Sequence, residues 1–97
     1  MYMIRDLQTI YDNRKSFYGK AKIITTLIDL DKQVIELKSY NTIVARITKD
    51  DAQTTYEYLG YYSQTTARHQ KEFFKQYGLN DEQYKTLKTK QTLIINE

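Results

Sequence analysis

The chain has 97 residues, of which 40% are hydrophobic and 28% are charged, and this composition is typical of one folded domain spanning residues 1–97. Because the chain contains no cysteine, disulfide bonds and zinc–thiolate sites are excluded. No apolar run approaches the roughly 18 residues of a membrane span and the N-terminus lacks a signal-peptide pattern, so we expect a cytoplasmic protein without membrane contact.

The net charge of +3 is unevenly distributed along the chain. Residues 1–28 carry five Lys or Arg against two acids, residues 29–62 carry four against six, and residues 63–97 carry six against four. Basic ends around an acidic middle favour attraction to nucleic acid or to an acidic protein. An ordinary surface of mixed charge accounts for the same distribution equally well.

The densest basic stretch, residues 14–22, places cations around two aromatic side chains. Its cations can hold phosphates while Phe17 or Tyr18 stacks on a base. The alternative is the start of a strand, with the aromatic side chains in the core and the lysines in water. The candidate partner-binding residues in this stretch are Arg14, Lys15, Tyr18, Lys20 and Lys22.

Alternating side chains predict an antiparallel sheet over the next part of the chain. Residues 21–28 are apolar on both faces, which indicates a central strand. Residues 33–39 and 42–48 predict a hairpin around the turn at Tyr40 and Asn41. In its second strand, Ile43, Ala45 and Ile47 are expected to face inward and Val44 outward.

A fourth strand is predicted over residues 54–62, which carry a row of tyrosines on one face. Tyr56, Tyr58 and Tyr62 share that face. The row is either a surface for a partner, for which Tyr58 is a candidate contact, or the cover of a second layer of structure.

Two helices are predicted in the last third of the chain. The first spans about residues 63–77, because Ser63 suits its N-cap and Gly78 suits a left-handed C-terminus. The second is short, about residues 81–88, with Asn80 as its cap. On the first helix three cations share one side and are further candidates for partner binding: Arg68, Lys71 and Lys75.

The two ends of the chain carry weaker patterns. Apolar residues at helical spacing suggest a short helix over residues 3–11, although several of these residues suit a strand as well. Residues 92–95 are a terminal strand or an interface segment. The predicted fold is therefore α+β, a three- to four-stranded antiparallel β-meander with the helix at about 63–77 packed on one face and a short helix at about 81–88.

The only histidine, His69, is the one candidate for acid–base chemistry. A general base needs a nucleophile or carboxylate within reach, and the nearby Ser63 is explained by helix capping. The sequence contains no glycine-rich phosphate loop, no nucleophile elbow and no metal-ligand spacing. We therefore interpret His69 as a packing residue and expect a non-catalytic protein without cofactor or metal.

Three blocks of the sequence resemble a family of small uncharacterised proteins from phages and other mobile elements of Gram-positive bacteria. They are YDNRKSFYGKA at residues 11–21, SYNT at residues 39–42, and SQTTARH at residues 63–69, the last followed by Glu72 and Phe73. The resemblance implies an accessory protein of a mobile element that acts in the bacterial cytoplasm. It provides no catalytic residues to transfer.

The resemblance, the small size, the many tyrosines and the lack of catalytic groups predict one function, and the basic ends with interleaved aromatic residues motivate a second as the alternative. The first is an anti-defence inhibitor of the anti-CRISPR type, which binds a host defence protein such as a CRISPR effector nuclease and blocks its nucleic-acid site. The second is an accessory or regulatory protein that binds nucleic acid directly. Self-association into a homodimer is compatible with either function.

Overall fold

Six antiparallel strands form one sheet, in sequence order, in the computed structural model, which describes residues 2–96. Each strand pairs with the next along the chain, so the sheet is a meander throughout. The strands are β1 (Tyr2–Asp6), β2 (Ala21–Asp29), β3 (Lys32–Ser39), β4 (Thr42–Lys49), β5 (Gln53–Tyr58) and β6 (Thr92–Asn96).

Two helices, α1 (Gln64–Gln76) and α2 (Asp81–Lys90), lie between β5 and β6 in the chain and cover one face of the sheet. The Ser63 side chain caps α1 by accepting a hydrogen bond from the Thr66 N–H at 3.1 Å. At the other end Gly78 has a φ of +100°, and the Leu79 N–H donates to the Phe74 carbonyl at 3.1 Å. The predicted helix and both of its ends are confirmed.

The core lies between this face of the sheet and the two helices. Phe73 and Phe74 of α1 and Leu87 of α2 are fully buried against strand residues such as Ile23 and Leu37. Full burial of a side chain of this size contributes roughly 1.5–3 kcal/mol. The face opposite the helices carries charged and polar side chains at its centre, where Arg46 pairs with Glu36 and Glu57 on the neighbouring strands.

The predicted strand number is wrong, because the sheet gains one strand at each edge. Residues 3–11 do not form a helix: β1 pairs in register with β2, with Ile4 opposite Ile24, and an irregular loop follows. Cross-strand pairing thus overrides a weak helical pattern. Residues 92–96 form the other edge strand, paired with β5. The second helix also continues to Lys90, before Gln91 takes a left-handed conformation with a φ of +68°.

The predicted inward and outward residues of β4 are partly exchanged by a β-bulge. Leu37 pairs with Ala45 but the next residue, Lys38, pairs with Ile43, so Val44 is the extra residue. Val44 is therefore buried, and Ile43 shares the outer face with Lys38. The bulge also turns the Val44 carbonyl toward Gln70 of α1, whose Nε2 donates to it at 2.9 Å.

The strand predicted over residues 54–62 is shorter than expected, because β5 ends at Tyr58. The predicted row of tyrosines therefore does not lie on one strand. Tyr56 and Tyr58 are covered by the helices, as expected for strand residues beneath a second layer, whereas Tyr61 and Tyr62 lie on the following loop and are exposed. Within residues 2–96, no helix has the length and apolar character needed to cross a membrane.

Candidate functional site

A cleft of about 530 Å³ lies along the solvent side of α1. One wall is the loop at residues 11–13, and the other is formed by α2 and the end of β5. We name it the tyrosine–lysine cleft after the two kinds of side chain that dominate its lining. These are the tyrosines Tyr11, Tyr58, Tyr61 and Tyr84 and the cations Arg68, Lys71, Lys75 and Lys88.

Three of the cations come from α1, where spacings of three and four residues place Arg68, Lys71 and Lys75 on one face. Arg68 Nε lies 3.5 Å from a carboxylate oxygen of Asp12, and Lys75 Nζ lies 3.2 Å from one of Asp81. The side chain of Lys71 is exposed and makes no ion pair or hydrogen bond with residues 2–96. Since partly exposed ion pairs contribute little stability, these cations can be redirected to an anionic ligand at small cost.

Two of the tyrosines that line the cleft are buried, and their hydroxyl groups have no hydrogen-bond partners among residues 2–96. The Tyr58 and Tyr84 side chains are only 7% and 5% exposed, and their rings meet edge to face at 6.5 Å. Burial raises the pKa of both phenols, and for Tyr84 the nearby Tyr58 adds to the effect. Both groups therefore stay protonated and can donate hydrogen bonds to a ligand that enters the cleft.

The wall opposite α2 is attached to α1 by one buried carboxylate, that of Glu72, which is 1% exposed. Its oxygens accept hydrogen bonds from the backbone N–H groups of Ile10 at 3.1 Å, Tyr11 at 3.0 Å and Asp12 at 2.7 Å. Gln76 Nε2 donates at 2.7 Å to the same carboxylate and at 2.7 Å to the Gln8 carbonyl. Glu72 therefore fixes the position of Tyr11 and Asp12 relative to the cations of α1.

His69 lies on the opposite, buried side of α1. Its Nδ1 is 2.8 Å from the Ser39 hydroxyl, which is 2.9 Å from the Thr66 hydroxyl, and its ring packs 4.5 Å from that of Phe17. Burial lowers the pKa of His69, and Asp12 only partly opposes this. The neutral ring thus joins α1 to β3 as a packing residue. Among residues 2–96, no three His, Asp or Glu side chains form a group that could hold a metal ion.

The structure divides the sequence-predicted binding residues into two groups. Arg68, Lys71, Lys75 and Tyr58 all line the cleft, although Tyr58 is buried rather than exposed. The remaining five lie outside it, on the loop between β1 and β2 or at the start of β2: Arg14, Lys15, Tyr18, Lys20 and Lys22.

In this second group, the structure agrees with the strand-start alternative for Phe17 and leaves nucleic-acid contact by Tyr18 a prediction. Phe17 is in the core, as expected for the start of a strand, whereas Tyr18 is exposed and adopts a φ of +53°. Lys22 pairs with Asp6 on the face of the sheet opposite the helices, so it does not contribute to the cleft.

Of the eight tyrosines and cations that line the cleft, four were missed from the sequence: Tyr11, Tyr61, Tyr84 and Lys88. Only the last pair had a local signal, since Tyr84 and Lys88 are four residues apart on a predicted helix and therefore share a face. Lys88 Nζ indeed lies 5.0 Å from the centre of the Tyr84 ring. Tyr11 and Tyr61 reach the cleft through loops, whose position no local pattern reports.

Comparison with known proteins gives one match. Residues 5–90 match the model of DUF8033, which is described as a family of unknown function. Neither a curated protein nor a solved structure matches the chain.

Proposed function

The chain belongs to DUF8033, a family of unknown function, and we propose that it is a non-catalytic protein that binds nucleic acid through the tyrosine–lysine cleft. The observation that supports this proposal is the meeting of four cations and two unpartnered phenol hydroxyls in one cleft. Phosphate groups are commonly bound by this combination of Lys or Arg side chains with neutral O–H donors.

The charges of the cleft favour a polyanion. Its lining holds four cations and two carboxylates, those of Asp12 and Glu72. Glu72 is already satisfied by backbone N–H groups, and Asp12 is paired with Arg68. The positive charge that remains includes Lys71 and Lys88, neither of which pairs with a carboxylate among residues 2–96, and it attracts phosphates and repels the basic nucleic-acid site of another protein.

Fluorescence anisotropy of labelled oligonucleotides over a range of salt concentrations tests the proposal. We expect binding that weakens with salt, because each neutralised phosphate contributes a slope of about −0.7 to −0.9 to log K against log salt. Lys71→Gln should weaken binding and reduce the slope by about one such contact, whereas Lys85→Gln, an exposed lysine of α2 outside the cleft, should change neither. Absence of binding at low salt would refute the proposal.

A second candidate function is the anti-defence inhibitor implied by the resemblance to proteins of mobile elements, acting in the cytoplasm of a bacterial host. Its support is one end of the sheet, where a shallow pocket is lined by the fully exposed Leu30 and by more acidic than basic side chains. These are Asp29, Asp31 and Asp50 against Lys32 and Lys49. This end, unlike the cleft, complements a basic nucleic-acid site on a host effector. Pull-down from nuclease-treated host lysate should then recover one stoichiometric protein, lost with Asp31→Asn plus Asp50→Asn and retained with Lys71→Gln.

A further inference from the structure

We infer that the tyrosine–lysine cleft accepts single-stranded nucleic acid, with one base stacked on the ring of Tyr61 and a neighbouring phosphate on the hydroxyls of Tyr58 and Tyr84. This inference rests on the nucleic-acid-binding function proposed above and specifies its ligand. It is based on the exposure of one ring, the burial of two tyrosines and the size of the cleft.

Tyr61 is the cleft tyrosine best placed to stack on a base. Its side chain is 65% exposed, and no aromatic ring or cation among residues 2–96 covers its ring. The other exposed ring of the cleft, that of Tyr11, already has the Lys75 ammonium 5.2 Å from its centre. Unpaired bases stack readily on such rings, whereas the bases of a duplex are stacked on one another and present only their edges.

The two tyrosines that carry the hydroxyl donors are far less exposed than Tyr61. Tyr58 and Tyr84 are buried except where they line the cleft, so a phosphate must enter the cleft to reach them. A volume of about 530 Å³ is within the range of pockets that hold one small ligand. A flexible single strand can insert one nucleotide into such a space, whereas the phosphates of a rigid duplex remain at the rim.

The α1 cations lie where the strand would enter and leave the cleft. Arg68 and Lys75 are on either side of Lys71 along the helix, and all three line the same cleft as the two buried tyrosines. The backbone of a strand with one inserted nucleotide would therefore pass along a row of positive charge. Base stacking on Tyr61 and phosphate binding by Lys71 should then contribute separately to the affinity. Only the phosphate contact releases counterions, so only its contribution depends on salt.

Anisotropy titrations with a single-stranded oligonucleotide and with a duplex of the same sequence, at equal ionic strength, test the inference. We expect the single strand to bind at least tenfold more tightly. Tyr61→Leu should weaken single-strand binding by roughly 5- to 100-fold, the range for one lost base stack, without changing the salt slope. Tyr62→Leu is the matched control, because Tyr62 is a neighbouring exposed tyrosine outside the cleft, and should bind as the wild type.

The hydroxyl groups are tested by Tyr58→Phe plus Tyr84→Phe, which removes two oxygens and keeps both rings. We expect this double variant to bind the single strand more weakly than the wild type. Its melting temperature should not change, because neither hydroxyl has a hydrogen-bond partner within residues 2–96. An affinity equal to that of the wild type would show that the phosphate does not bind to these two hydroxyl groups.

The possible failures are distinguishable. Equal affinity for duplex and single strand, or full affinity of Tyr61→Leu, would overturn the inference and leave nucleic-acid binding intact. Competition by polyglutamate as effective as that by a single strand of equal charge would show that the cleft selects charge alone, which also overturns it. If neither nucleic acid binds at low salt, both the inference and the proposed function are wrong.

Discussion

Replacing Glu72 with glutamine should destabilise the protein strongly although it changes only one atom. The carboxylate accepts from the N–H groups of Ile10, Tyr11 and Asp12 and from the amide of Gln76, while being 1% exposed. A glutamine retains one oxygen, so if that oxygen serves Tyr11 and Asp12, the donors of Ile10 and Gln76 face an NH₂ group. Each lost hydrogen bond to a charged group costs about 1.5–3 kcal/mol, so for these two donors we expect a loss of about 3–6 kcal/mol.

Urea denaturation followed by circular dichroism measures this loss, with Glu82→Gln as the matched control. Glu82 is an exposed residue in the first turn of α2, so its replacement should cost less than about 1 kcal/mol. Hydrogen exchange at residues 10–12 should also accelerate in Glu72→Gln, because the Ile10 amide loses its acceptor and fewer hydrogen bonds then hold this loop on α1. The role assigned to Glu72 would be refuted if Glu72→Gln had unchanged exchange at residues 10–12 and a free energy of unfolding within about 0.5 kcal/mol of the wild type.

Two further predictions concern the ends and the buried face of α1. Burial lowers the pKa of His69 below 6.5, so on acidification the unfolded chain takes up the histidine proton before the folded chain does, and the melting temperature should fall as the pH drops below about 6.5. His69→Gln should lose this pH dependence. A variant with the same pH profile as the wild type would contradict the assignment. Gly78→Ala should lower the free energy of unfolding by about 1–2 kcal/mol in urea denaturation, because the φ of +100° at residue 78 is unfavourable for a residue with a Cβ. A steric clash does not contribute, since no atom lies within 4 Å of the added Cβ. Gly78→Asn should cost less, and equal costs of the two variants would show that backbone strain is not the cause.

The features that were predicted correctly from the sequence are those produced by local physical chemistry. The capping of α1 by Ser63 and its termination at Gly78 depend on residues within one helical turn of each end. The shared face of Arg68, Lys71 and Lys75 follows from helical periodicity alone. The hairpin of β3 and β4 is also local, since its strands are joined by a two-residue turn.

The features that were missed or left open depend on contacts between distant parts of the chain. The sequence could not decide between a strand and an interface segment for residues 92–95, because β6 pairs with β5, from which α1 and α2 separate it along the chain. Five residues of mixed pattern at either terminus cannot specify such pairing by themselves. The bulge at Val44 likewise has no sequence signal, and its effect is to present the Val44 carbonyl to Gln70.

The role of Glu72 shows the same limitation at the candidate site. In the sequence it is one acidic residue in a charged helix, and nothing local indicates that it is buried beneath residues 10–12. Tyr11 enters the cleft only because this carboxylate fixes its backbone, so a prediction of the cleft would first require the path of that loop. The cations of α1 and Tyr58 could be predicted, but Tyr11 and Tyr61, which reach the cleft through loops, could not.

One helix connects the core to the candidate site, because three sides of α1 have three different neighbours. His69, Gln70, Phe73 and Phe74 are buried toward the sheet, Glu72 and Gln76 bind the loop, and the cations line the cleft. A rotation of α1 that improved the contacts of one side would therefore misplace the others. Variants of Lys71 and Tyr61 report on ligand binding alone, because both side chains are exposed, whereas a loss of binding in Glu72→Gln would combine a displaced wall with a weakened fold. Measuring binding and stability together in all three variants separates a role in recognition from a role in positioning.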